Sequence, residues 1–215
     1  MLKLVSINIA LPQAVSFNEG GKKYRTGIFK KPVNEEIFLD QNGLLGDGVG
    51  DKRFHGGKDL AVCAYFVDHY AFWESELNRE LSPGAFGENL SLTGLDETKI
   101  NIGDQFSLGE AEIEVSQPRQ PCHKLNKVFH LQAMACKVQT MGYTGCYFRV
   151  KKMGLVNPNS KVKKIKDGQE NISIDDINSL MFKEKKNIDL LRKVVNLEAL
   201  SLEWREKFQK RLEVL

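Results

Sequence analysis

Residues 89–115 read NLSLTGLDETKINIGDQFSLGEAEIEV. Three short apolar runs, at 89–92, 106–108 and 111–115, are separated by turns at Gly94, Gly103 and Gly109. Short strands at intervals of about ten residues predict a barrel or a sandwich. Working outward, Ser82-Pro83-Gly84 closes a helix over residues 68–77, in which Tyr70, Trp73 and Leu77 share one face and Asp68 is placed to cap. The run at 60–67 is apolar throughout and reads as a strand buried on both faces. Val5, Ile7 and Ile9 alternate with polar or small residues as a half-buried strand, and residues 24–29 and 36–39 read as two more. On the C-terminal side, Val128, Leu131, Met134, Ala135 and Val138 carry a helical period to Gly142, and residues 145–150 form another strand.

The tail changes character. Residues 161–166 are basic, a solvated linker or an edge strand. Ser173 with Asp176 forms a capping-box start, Ile188, Leu191, Val194 and Val195 make a second apolar face, and Ser201 caps a third helix bearing Trp204, Phe208 and Leu212. Three helices of this size cannot supply a core of their own. The chain is therefore expected to be mainly β with inserted helices over residues 1–166, followed by a three-helix unit over 170–215.

The 215 residues are 41% apolar and 27% charged, the composition of a soluble globular protein. This excludes collagen, coiled coil and wholesale disorder. No apolar run approaches the ~20 residues of a membrane span, and the N-terminal residues have no signal-peptide core, so the expected location is cytoplasmic. A net charge of +3 does not call for a nucleic-acid partner. The lysines of residues 151–166 have no aromatic platform beside them to suit one. None of the four cysteines, Cys63, Cys122, Cys136 and Cys146, forms a C-x-x-C pair, so a zinc knuckle is not expected. Cys63 reads as core, Cys136 and Cys146 as packing, and His69 and His130 as surface or capping residues.

Residues 43–59 hold Gly43, Gly46, Gly48, Gly50, Gly56 and Gly57. Lys52 and Asp59 break the Walker A spacing around Gly57-Lys58, Asp51 breaks the dinucleotide fingerprint, and Val49 breaks the calcium loop. Two readings remain. The loop is a structural multi-turn, or its backbone N–H groups face an anion beside Lys52, Arg53 and His55. In Ser116-Gln-Pro-Arg-Gln-Pro-Cys122-His123, two prolines stiffen a loop that delivers one cysteine between Arg119 and His123, cations that favour a thiolate. Read alone, Cys122 is structural or reactive. Glu88 and Asn89 orient a ligand or bond their own loop, and Arg25, Lys30 and Lys31 form a small basic cluster.

Gly46-Asp47, Arg53-Phe-His55-Gly-Gly57, Ala85-Phe-Gly-Glu-Asn-Leu90, Gly103-Asp104 and Ser116-Gln-Pro-Arg-x-Pro-Cys122 together resemble the MOSC family, named for the C-terminal domain of molybdenum-cofactor sulfurase. The order and spacing hold over residues 1–155, and the combination is specific although no single piece is. The nearest likeness is to the bacterial stand-alone MOSC proteins that protect against hydroxylaminopurine and carry a C-terminal three-helix domain. The resemblance implies a β-barrel related to that of pyruvate kinase. It implies binding of molybdenum cofactor, with Cys122 as the protein's sulfur ligand to the metal and the loops at Arg53, His55, Gly56, Gly57 and Asn89 bordering it. From charge, Arg25, Lys30 and Arg119 are candidates for the pterin phosphate, and His55 or Asp59 for a proton donor. The expected activity is reduction of N-hydroxylated compounds, base analogues included, with electrons from a partner reductase; pyridoxal phosphate is not expected. A non-catalytic carrier of sulfur or cofactor on Cys122 is the alternative, and a homodimer is left open.

Overall fold

The computed structural model describes residues 2–16, 21, 23–51 and 56–215. Its main feature is a mixed eight-stranded sheet in the order β13-β9-β10-β11-β7-β8-β1-β4. The strands are β1 (Lys3–Ile9), β4 (Lys31–Pro32), β7 (Val62–Phe66), β8 (Leu90–Thr93), β9 (Gln105–Leu108), β10 (Ala111–Pro118), β11 (Cys146–Lys152) and β13 (Val162–Lys166). The sheet curls like half a barrel, with β4 and β13 as its hydrogen-bonding edges. All of the pairings in this sheet are antiparallel except β7 with β8. Every residue of β7 is buried, as the unbroken apolar run predicts. The basic stretch at the tail is the edge strand β13. Its exposed Lys163, Lys164 and Lys166 keep that edge from pairing with other chains. A three-stranded sheet of β5 (Ile37–Asp40), β6 (Gly43–Leu44) and β12 (Gly154–Val156) and a hairpin of β2 (Gln13–Ser16) and β3 (Lys23–Thr26) complete the β structure.

The inserted helices are α1 (Tyr70–Leu77), α2 (Lys124–Val128) and α3 (Met134–Met141). Two local expectations fail here. Asp68 does not cap α1; its carboxylate accepts from Thr93 Oγ1 and Gly94 N. The helix expected to run through residues 128–138 is split, because His130 takes φ 51°. The Asn126 side chain bridges the break, donating to Gln132 O and accepting from Ala135 N.

Two apolar clusters result. Tyr65, Tyr70, Trp73, Phe86, Leu125, Phe129, Met134 and Val138 form the smaller one. There the Tyr65 and Phe86 rings stack at 4.1 Å, and Trp73 Nε1 donates to Tyr65 Oη at 2.6 Å. The larger cluster runs without interruption from the sheet, through Phe106, Val115 and Phe148, into the C-terminal helices α4 (Ile174–Phe182), α5 (Ile188–Val195) and α6 (Leu202–Leu212). Trp204 and Phe208 are fully buried in it. Backbone bonds tie the helical unit to the sheet: Ile102 N to Ile172 O, Ile174 N to Ile100 O, and Ser201 N to Ser116 O. The Ser173–Asp176 capping box is formed in both directions. The expected Ser201 side-chain cap is not formed; its hydroxyl is buried with no partner among the described residues. Among the described residues no helix is long and apolar enough to cross a membrane.

Candidate functional site

Strand β10 ends at Pro118, and the chain then crosses a pocket before α2 begins. Arg119 is buried, Gln120 exposed, Pro121 buried and Cys122 half-buried. The stiff, proline-framed approach thus leaves the thiol accessible while fixing the backbone on either side of it. Cys122 lies where two cavities meet. The first, of about 310 Å³, is walled by residues 26–28, Lys30, residues 42–44 and 47–50, Gly56, Gly57, Cys63, residues 86–87, Asn89 and Arg119. The second, of about 630 Å³, is walled by residues 23–25, Asp51, Gln117, Pro121, His123 and Glu203. Both also touch Gly50, Leu60, Gln120, Cys122, Lys124 and Tyr147.

Of the residues singled out from the sequence, Lys30, Gly56, Gly57, Asn89, Arg119 and Cys122 gather around the first cavity. Arg25 lines the second. Arg53 and His55 lie outside the described residues. Asp59 lines neither cavity; its carboxylate binds Arg149 Nε at 2.8 Å.

The polar atoms of several of these residues are already committed. Asp47 accepts from Ala10 N at 2.8 Å and from Asn89 Nδ2 at 2.8 Å, and it pairs with the Lys30 ammonium. Asn89 also donates to Asn8 O and accepts from Cys63 N. Its amide therefore fastens β1, β7 and Asp47 to one another, and Lys30 is neutralised in place. Glu88, fully buried, accepts four bonds: Tyr70 Oη, Gly84 N and Ser91 Oγ on Oε1, and Phe86 N on Oε2. Glu88 thus bonds its own loop, while Asn89 ties neighbouring segments together and also lines the first cavity.

Arg119 is different. Nη2 donates to Phe86 O, while Nη1 is buried with no partner among the described residues. A buried guanidinium donor without an acceptor is costly, and Arg119 is one of the residues that line the first cavity. Burial opposes its charge, but Cys63, Tyr147, Cys122 and Glu88 around it hold its pKa above the ordinary value.

Tyr147, which the sequence reading passed over, sits opposite Cys63 in register. Its phenol and the Cys63 thiol are buried side by side. Burial, and next the neighbouring Cys63, push the phenol far above its ordinary pKa, so it is protonated at any physiological pH. Burial likewise raises the Cys63 thiol. Only the strand alternation around Tyr147 could have flagged it, and alternation does not reveal which neighbours a side chain meets.

The glycine-rich loop divides in two. A Cβ on Gly50 would lie 2.0 Å from Arg25 O, and one on Gly27 would lie 2.2 Å from Gly48 O. These glycines let segments 25–27 and 48–50 touch backbone to backbone, forming the wall between the cavities. Gly57, at φ 110°, lines the first cavity, and among the described residues nothing lies within 4 Å of where a Cβ would sit. Two further expectations fail: Cys136 is exposed, and His69 is largely buried, stacked on Tyr143 at 3.9 Å and bonded to Glu97 at 2.7 Å.

The chain belongs to the MOSC domain family, whose model matches residues 51–163, and a YiiM-like 3-alpha helix domain matches residues 172–214. The uncharacterized protein YflK of Bacillus subtilis is 43% identical, over 99% of this chain and 95% of its own length. The crystal structure of YiiM from Geobacillus stearothermophilus is similar with a TM-score of 0.84 at 34% identity, covering 99% of this chain and all of that one. A longer protein of Gibberella moniliformis, named a reductase, is 36% identical over 138 residues, 62% of this chain and 24% of its own length.

Proposed function

We propose that this chain binds molybdenum cofactor through Cys122 and reduces N-hydroxylated compounds, purine analogues included, to the corresponding amines. The observation that carries the proposal is the pairing of an accessible thiol with the unpartnered Arg119 Nη1 beside a glycine-walled cavity. Among the described residues no group of three or more His, Cys, Asp or Glu side chains is placed to hold a metal ion. One thiolate is the donor set that suits a metal carried in with its own sulfur ligands, so the residues present fit the cofactor. Arg119 is the donor suited to its anionic groups, Gly57 leaves the cavity wall uncrowded, and Arg53 and His55 complete the proposal from the family resemblance.

Molybdenum in this cofactor supplies a two-electron, oxo-accepting centre. The balance is R–NH–OH plus two electrons and two protons giving R–NH₂ and water. The chain's part is to hold the sulfur ligand still, to keep bulk water away through the walls at residues 26–28 and 48–50, and to hold a proton at Tyr147 Oη beside Cys122. The electrons come from a partner reductase. The named reductase of Gibberella moniliformis, which carries a related stretch within a longer chain, supports that arrangement.

Protein from a cofactor-producing host, assayed for molybdenum and pterin, is expected to hold both. Cys122→Ser is expected to lose at least about tenfold of the metal with Tm unchanged within about 2 °C, because the thiol is half-exposed. Turnover of hydroxylaminopurine with an artificial donor separates the enzyme from a mere carrier. Metal retention without turnover assigns the carrier role, and full retention in Cys122→Ser overturns the ligand assignment.

A further inference from the structure

We propose that the second cavity at Cys122 is a substrate pocket for a planar heterocycle that carries an anionic group, such as a nucleotide. The heterocycle seats between Tyr24 and the Gln117 amide, and the anion is held by Lys23, Arg25 and Lys124. For the fate of the bound compound this rests on the reductase reading; for its binding it does not.

Four features of the cavity point this way. It is roughly twice the volume of the first, about 630 against 310 Å³, which leaves room for a ring and a substituent. It opens onto the same thiol, so a bound ring would lie beside whatever Cys122 ligates. Gln117 lines it while only 5% exposed, and its side-chain amide has no hydrogen-bond partner among the described residues. Its adjacent donor and acceptor complement the donor–acceptor edge of a purine or pyrimidine. Tyr24 supplies an aromatic wall that is already fixed, with the Lys127 ammonium 4.7 Å from its ring centroid and the His123 ring edge-on at 6.3 Å. A wall that is ordered beforehand costs little entropy when a ring lands on it.

The charge of the lining selects the substituent. Lys23, Arg25 and Lys124 face the cavity together with two carboxylates, Asp51 and Glu203. Glu203 is bound by Lys207 at 2.6 Å, and Asp51 has an interaction of its own. Lys124 Nζ lies 3.5 Å from the backbone carbonyl of Arg25, which ties Lys124 to the segment that carries Arg25. The cations are exposed or half-exposed, so they add selectivity for an anion without the penalty of burying charge. This assigns Arg25 to the substrate's anion instead of to the cofactor's phosphate.

The test is direct binding, by equilibrium dialysis, of adenosine, adenosine 5′-monophosphate and inorganic phosphate to the full chain; none of the three needs turnover. The monophosphate is expected to bind on the order of tenfold to a hundredfold more tightly than adenosine at low salt, with the gap narrowing at 0.3 M salt. Arg25→Ala, at an exposed position, is expected to remove most of the gap and leave adenosine binding unchanged. Gln117→Leu is expected to weaken both nucleosides alike. Equal binding of adenosine and its monophosphate, or a gap that survives Arg25→Ala, overturns the proposal. Inorganic phosphate binding as tightly as the monophosphate also overturns it, and marks the cavity as a phosphate seat such as the cofactor's. Selective nucleotide binding by a protein that fails to reduce N-hydroxylated compounds would sink the reductase reading and leave the pocket assignment standing.

Discussion

Glu88→Gln should destabilise this protein far more than its single-atom change suggests. Glu88 is fully buried and meets four donors, three on Oε1 and one on Oε2. A glutamine has one acceptor and one donor end. Its oxygen will take the Oε1 place, where Tyr70 Oη, Gly84 N and Ser91 Oγ converge, and its NH₂ then faces the N–H of Phe86. One bond is lost and a backbone donor is orphaned in the interior, at about 1–3 kcal/mol; the other three lose their charge assistance, and Arg119 loses its buried carboxylate neighbour. The sum is about 2–4 kcal/mol, a fall in Tm of roughly 4–16 °C for a chain of this size. Urea unfolding followed by tryptophan fluorescence reads it directly, because Trp73 lies 5.9 Å from the Phe86 ring. A loss below about 0.5 kcal/mol would refute the picture of a carboxylate clamp, since a neutral side chain would then serve as well.

Other expectations follow from the same structure. Gly50→Ala puts a methyl 2.0 Å from Arg25 O, so the wall between the cavities must shift; a loss of about 1–3 kcal/mol together with weaker metal retention is expected, and an unchanged metal content would show that the wall does not shape the site. Stability should decline as pH rises above about 9. Burial holds Cys63 and Cys146 above the ordinary thiol value of 9.0 and Tyr65, Tyr70 and Tyr147 above theirs. Below pH 9 this stability is fully present. Above it the unfolded chain releases protons that the folded chain keeps, at up to about 1.4 kcal/mol per proton per pH unit. Urea midpoints at pH 8, 9 and 10 measure the effect, and a flat profile would contradict it. Phe208→Ala, in the core shared by sheet and helices, should cost about 3–5 kcal/mol and leave a single unfolding transition. Two resolved transitions would show residues 1–166 and 170–215 to be independent units.

The repeating strand signals, the doubly buried strand at residues 62–66, the Ser173 cap and the apolar face at Trp204 and Phe208 are all legible in the chain itself. Each depends on spacing within a few residues, and spacing of that kind is what a linear chain displays. The Ser116–Cys122 loop was legible for the same reason: proline constrains its own backbone wherever it occurs. The curl of the sheet was less legible. Ten-residue strand spacing fits a closed barrel as well as the open eight-stranded ladder, because closure depends on strands that pair across long stretches of chain.

The candidate site divides along the same line. From sequence came the proline-framed Cys122, its cationic neighbour Arg119 and the glycine loop. The tertiary structure decided which of the surrounding groups are free. Asn89 and Lys30 read from the sequence as ligand contacts, and only the fold shows that Asp47, 42 and 17 residues away, also holds them beside the first cavity. His69 looks like a surface residue until Tyr143 and Glu97 enclose it. Gln117 looks like filler until it is found lining a cavity with its amide unmatched. A side chain's chemistry is written in its identity, but its availability is set by hydrogen-bond partners and desolvation contributed by segments far away in the chain, and only folding brings those together.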